Sequence, residues 1–207
     1  MAKRNHINQI KSFDKIVFKA LADVAILTKN DLRTFVSEKR FKTYVQGGYI
    51  KMLTVVANDG KTKDVYSLTP QGQRFAKKYM GLSNFYKSNS LRHDIKLSEK
   101  YMNLSDEQRA SWVREKDLME MAQKEIDRLK NSDDRDEKVK GDKLQENLNN
   151  KKISSVDGAY FVTIQETNQV VLHFLEVTTT NYGEVEIAAK EAFVTILGGT
   201  SFEEVKA

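Results

Sequence analysis

Cysteine is absent from the 207 residues, which excludes disulfides, thiolate zinc sites and a cysteine nucleophile. Long apolar runs are absent as well: nowhere do about 18 apolar residues follow one another, so the sequence predicts no membrane span. Histidine occurs only at His6, His93 and His173, without metal-ligand spacing. The stretch from Met1 to Gln9 is polar and basic with no apolar segment behind it, and the expectation is a cytoplasmic protein. Hydrophobic residues make up 40% of the chain, enough for one sizeable core or two small ones.

The net charge of +5 hides an asymmetry. Residues 1–100 carry 20 Lys/Arg against 8 Asp/Glu, whereas residues 101–207 carry 14 against 21. A basic half poor in acids is what a phosphate backbone attracts. An ordinary solvated lysine surface is the competing explanation, and the acidic half needs an explanation of its own.

Along residues 13–27, Ile16, Val17, Ala20, Leu21, Val24 and Leu27 recur at helical intervals and form one apolar stripe. Thr28 stands as an N-cap with Asp31 three residues on, and Leu32, Phe35 and Val36 give a short second helix. A third helix over residues 38–46 places Phe41 and Val45 on one side and Lys39, Arg40, Lys42, Thr43 and Gln46 on the others, and Gly47-Gly48 ends it. Strand-like runs at 49–57 and 64–68 flank Asn58-Asp59-Gly60-Lys61-Thr62-Lys63, where Asp-Gly signals a hairpin. Three short helices followed by a hairpin is the order of a winged helix-turn-helix, with the third helix in the major groove and the hairpin as wing. Thr69 then caps another helix with Pro70 at its first position, and this strand running into Leu-Thr-x-x-Gly (Leu68 to Gly72) resembles the wing-to-helix junction of bacterial winged-helix proteins. On this reading Arg40, Thr43 and Gln46 reach base edges, while Lys39, Lys42, Lys61 and Lys63 meet phosphates. The competing reading makes these residues the wet face of an amphipathic helix in a protein-interaction module.

Residues 79–89 read as a connector, followed by a helix over 90–104 whose buried candidates are Leu91, Ile95, Leu97, Tyr101 and Met102. Ser105-Asp106-Glu107-Gln108 has capping-box spacing. A strand over 110–114 follows, with Glu115 at its end, then an amphipathic helix over 117–130. Asp, Glu, Lys and Asn dominate residues 131–152, which read as a solvated insertion, or from Lys143 onward as a charged surface helix. Strands at 159–165 and 170–178, a helix at 184–197 and a last strand at 201–205 complete the chain. His93 and Asp94 read as a helix-surface or domain-contact pair, Trp112 as core, and Glu176 as a residue facing solvent.

In that order Glu115, Asp157 and Glu176 fall at strand ends, where carboxylates converge on a divalent ion that polarises phosphate and activates water. The arrangement resembles the PD-(D/E)XK nuclease pattern, an acid before one strand and acid-x-lysine on the next. Here Thr178 replaces the lysine and Val156 the proline, and Lys190 on the following helix is the candidate to project back in the lysine's place. Over most of the chain, Leu91-Arg92-His93-Asp94, Trp112-Val113-Arg114-Glu115-Lys116-Asp117-Leu118, Val156-Asp157-Gly158 and Phe174-Leu175-Glu176-Val177 resemble the replication-relaxation family of plasmids and mobile elements.

The resemblance implies an α+β protein: a winged-helix domain at 1–82, then a restriction-endonuclease-like α/β domain at 83–207 with a small mixed sheet and the charged insertion at 131–152. It implies a DNA-binding accessory role in replication, mobilisation or their control, with double-stranded DNA, a replication or relaxase protein and a second copy of the chain as partners. DNA binding needs no cofactor on this view. The alternatives are a Mg- or Mn-dependent nuclease or nicking enzyme using Glu115, Asp157, Glu176 and Lys190, with Asp157 and Glu176 as metal ligands, and a transcription regulator or interaction module.

Overall fold

The first helix carries Asp14 in its opening turn, where the carboxylate accepts the Lys11 backbone N–H at 2.7 Å. The computed structural model describes residues 7–56, 62–86, 90–179 and 182–207. The chain is mixed α+β and divides into two units, Met1–Leu104 and Ser105–Ala207.

In the first unit α1 (Ser12–Val24) ends three residues earlier than its apolar stripe suggests, because Ala25 takes a φ of 63° and turns the chain. Leu27 therefore lies in a strand, β1 (Ile26–Thr28), and Ile16 is 49% exposed. Thr28 caps α2 (Lys29–Phe35) through a reciprocal pair with Asp31, and Ser37 caps α3 (Glu38–Gln46). The inner face of α3 is made by Phe41 and Tyr44, whereas Val45 is 38% exposed. Strands β2 (Ile50–Val56) and β3 (Thr62–Leu68) pair antiparallel from Ile50↔Leu68 to Val56↔Thr62, and β3 also pairs with β1, giving the order β1-β3-β2.

At the start of α4 (Pro70–Met80) the Thr69 hydroxyl donates to the Gly48 carbonyl at 2.6 Å and accepts the Gly72 N–H at 3.0 Å. A Cβ on Gly72 would lie 2.0 Å from the Tyr49 carbonyl oxygen, so this glycine is set by the close approach of α4 to the strand. Helix α5 (Leu91–Met102) packs on α1 and β1, and the Tyr86 N–H donates to the Ala22 carbonyl at 2.8 Å. These contacts put the boundary between the units at 104/105 and not at 82/83. They also bury His93 and Asp94 inside the first unit, which corrects their reading as a surface or inter-domain pair; Leu91 is 42% exposed.

The second unit runs α6 (Asp106–Ala110), β4 (Val113–Arg114), α7 (Glu115–Lys130), α8 (Arg135–Asn149), β5 (Gly158–Ile164), β6 (Gln169–Thr178), α9 (Glu184–Ile196) and β7 (Phe202–Lys206). The sheet order is β4-β5-β6-β7, antiparallel through β6 and parallel from β6 to β7, with α9 as the crossover. Leu118, Ala122, Val156, Ala159, Phe174 and Phe193 form its core. The charged segment at 131–152 is no solvated insertion: α8 packs along α7, and Leu144 and Leu148 lie against the core. Gly141 permits this approach, since a Cβ there would come within 2.7 Å of the Lys130 nitrogen.

Residues 101–104 carry no charge, so the unit boundary is also the charge boundary, with +12 on the first unit and −7 on the second. No helix among the described residues is long and apolar enough to cross a membrane.

Candidate functional site

Two places gather the residues singled out in the sequence, one in each unit. On α3, positions 39, 42, 43 and 46 recur at the three- and four-residue spacing of a single helix face. Lys39, Lys42 and Gln46 are exposed and Thr43 is half-buried, its hydroxyl donating to the Lys39 carbonyl at 3.1 Å. Arg40 lies on the other side of the helix. Its guanidinium grips Asp14 of α1 at 2.8 Å (Nε) and 2.6 Å (Nη2), and Nη2 also donates to the Gln9 carbonyl at 2.7 Å. The Tyr44 hydroxyl donates to the same Asp14 carboxylate. Asp14 is fully buried; burial opposes its charge, yet Arg40, the Lys11 N–H and Tyr44 outweigh that and hold its carboxyl below the ordinary range. Arg40 is thus taken out of the base-reading set: it fastens α3 to α1.

Lys63, on β3, forms an ion pair with Glu99 of α5 at 3.7 Å. Lys61 lies outside the described residues. Near the start of α3, the single Glu38 carboxylate pairs with both Lys29 at 3.2 Å and Arg33 at 3.0 Å.

In the second unit Asp157 precedes β5 and Glu176 sits near the end of β6, neighbours through the strand pairing Gly158↔Leu175. Both are buried, which overturns the solvent-facing reading of Glu176. The Asp157 N–H donates to Glu176 Oε2 at 3.0 Å and the Val177 N–H to Asp157 Oδ2 at 2.8 Å, so each carboxylate is locked to the other's strand. Lys190 reaches back from α9 to 2.9 Å from Glu176 Oε1 and donates to the Ser155 carbonyl. The Tyr182 hydroxyl donates to the same Oε1 at 2.6 Å.

Glu115 follows directly on β4, at the strand end where the sequence places it, and opens α7. Its side chain is exposed and its carbonyl accepts the Ser155 hydroxyl at 3.4 Å. Burial and the adjacent Asp157 charge push the Glu176 carboxyl up to about 7, against Lys190 and Tyr182, which favour the anion. Tyr182 is raised above the ordinary phenol range by burial first, then by Glu176, Asp157 and Glu115.

Thr178, in the place of the pattern's lysine, donates from its hydroxyl to Glu204 of β7 at 2.7 Å. Gly158 is explained by Trp112, because a Cβ there would lie 2.2 Å from the indole ring. Tyr182 is the residue that sequence reasoning missed. It stands in a loop, where no periodicity marks a side chain that turns toward a carboxylate six positions earlier.

Among the described residues no group of three or more His, Asp or Glu side chains is gathered to hold a metal ion. Both oxygens of Glu176 already hold hydrogen-bond donors, and an ammonium stands against one of them. Comparison with protein-family models, curated proteins and solved structures finds no match to the chain.

Proposed function

We propose that the protein binds double-stranded DNA through its first unit, read as a winged helix-turn-helix, as an accessory factor of a plasmid, phage or integrated element. The observation that carries this is the exposed face of α3: Lys39, Lys42, Thr43 and Gln46 stand together while Arg40, Phe41 and Tyr44 anchor the helix from behind. Cations for phosphates beside an amide for base edges is the composition of a recognition helix. The +12 of the unit supplies the long-range attraction. The place in replication, mobilisation or their control, and a relaxase or replication protein or a second copy as partner, are what the resemblance to replication-relaxation proteins implies.

Hydrolysis is the second reading, favoured by Lys190 standing beside Glu176 in place of the lysine that Thr178 displaces. The residues present do not fit a divalent ion as they stand, since Glu176 is fully buried and engaged by Asp157, Tyr182 and Lys190. No hydrolytic step is therefore built on them, and the second unit is read as a nuclease-like fold whose carboxylate pair is engaged from within by Lys190, Tyr182 and backbone N–H groups.

The test is binding to duplex DNA across a salt series. Replacing Lys39 and Lys42 with alanine is expected to weaken binding and to lower the salt slope by about one for each phosphate contact removed. Arg40→Ala is expected to leave the slope unchanged. Unaltered affinity in the lysine variant would overturn the assignment. Supercoiled plasmid incubated with protein and manganese, then deproteinised, separates the two readings: intact plasmid accords with binding, and nicking abolished by Asp157→Ala establishes hydrolysis.

A further inference from the structure

The sequence from Val65 to His93 contains no Asp or Glu but carries Arg74, Lys77, Lys78, Lys87 and Arg92. Three of these cations, Arg74, Lys77 and Lys78, are exposed on α4. Beside them lies a groove of about 600 Å³ between the segment 7–10 and an aromatic row, Tyr49, Phe75 and Tyr79. Neighbouring rings in that row have centroids 4.8 Å (Tyr49 to Phe75) and 5.0 Å (Phe75 to Tyr79) apart. The last ring, Tyr79, is 52% exposed at the rim, with the Lys78 ammonium 5.0 Å from its centroid.

An open aromatic ring flanked by cations, on a stretch of chain without acids, offers stacking to a base and charge to the phosphates on either side of it. Duplex DNA keeps its bases stacked inside and has no face to give such a ring. We propose that α4 and the Tyr49–Phe75–Tyr79 groove bind single-stranded DNA, with Tyr79 stacking on one base and Arg74, Lys77 and Lys78 holding the backbone. This rests on the reading of the first unit as DNA-binding and adds a second, chemically different contact to it.

The test is fluorescence anisotropy of a labelled oligothymidylate and of a labelled duplex with the full chain. Tyr79→Ala is expected to weaken oligothymidylate binding about tenfold, the effect of losing one stacking ring, with the salt slope unchanged. Tyr79→Phe, which keeps the ring, should bind as the parent does. Replacing Lys77 and Lys78 with alanine should lower the salt slope for the oligothymidylate, and duplex affinity should not respond to Tyr79→Ala. Equal oligothymidylate binding by Tyr79→Ala and the parent, or an equal loss of duplex binding, overturns the proposal. Duplex binding without oligothymidylate binding overturns it while leaving the α3 assignment standing. Binding of neither overturns both.

Discussion

Glu176 concentrates the chemistry of the second unit in one side chain. Burial beside Asp157 disfavours its anion, and the fold answers with the Lys190 ammonium and the Tyr182 hydroxyl on the same oxygen. Its carboxyl titrates near 7 in the fold against 4.5 as the ordinary value. Between those values the folded chain holds more protons than the unfolded one, so this group's contribution to stability falls as pH rises from 4.5 to 7 and levels off above. Thermal unfolding at pH 5 and pH 8 should therefore show a pH-dependent loss that Glu176→Gln flattens; parallel profiles for parent and variant would refute the assignment. Asp14 is the contrasting case: also fully buried, but with enough donors around it to stay charged at lower pH than an exposed carboxylate.

Helix α8 shows what a charged composition conceals. Its polar residues face water, and Val139 among them is 61% exposed, yet Leu144 and Leu148, four residues apart, meet the core of the second unit. Replacing either leucine with alanine should cost about 1–2 kcal/mol, as expected for half-buried side chains. Val139→Ala should cost almost nothing, and urea denaturation of the three variants checks the contrast.

Elements governed by neighbouring residues were legible in the sequence. The Thr28 and Thr69 caps, the β2–β3 pairing and the helix ending before Gly198 all follow from signals within a few positions. What stayed hidden depends on partners far along the chain. Arg40 looked like a DNA contact because Asp14 is 26 positions away, and Gly72 gives no sign of the Tyr49 carbonyl that excludes a side chain there. At the carboxylate centre the two acids and Lys190 were legible, whereas the interlocking of Asp157 with Glu176 needed the strand register.

For the molecule as a whole, the position of α5 decides where one folding unit stops. Leu97 and Tyr101 are fully or nearly fully buried in the first unit, and the Tyr101 hydroxyl donates to Asp23 of α1 at 3.1 Å. A fragment of residues 1–104 should therefore unfold in one cooperative transition, while residues 1–82 should melt at clearly lower temperature or fail to fold; circular dichroism on both decides. The coincidence of the fold boundary with the charge boundary has a further effect, on motion through solution. Taken each by its own charge, the first unit attracts a polyanion and the second repels one, so the net +5 of the whole chain understates the pull that the first unit exerts. That pull reaches only as far as the ionic atmosphere allows, so it shortens as salt is added.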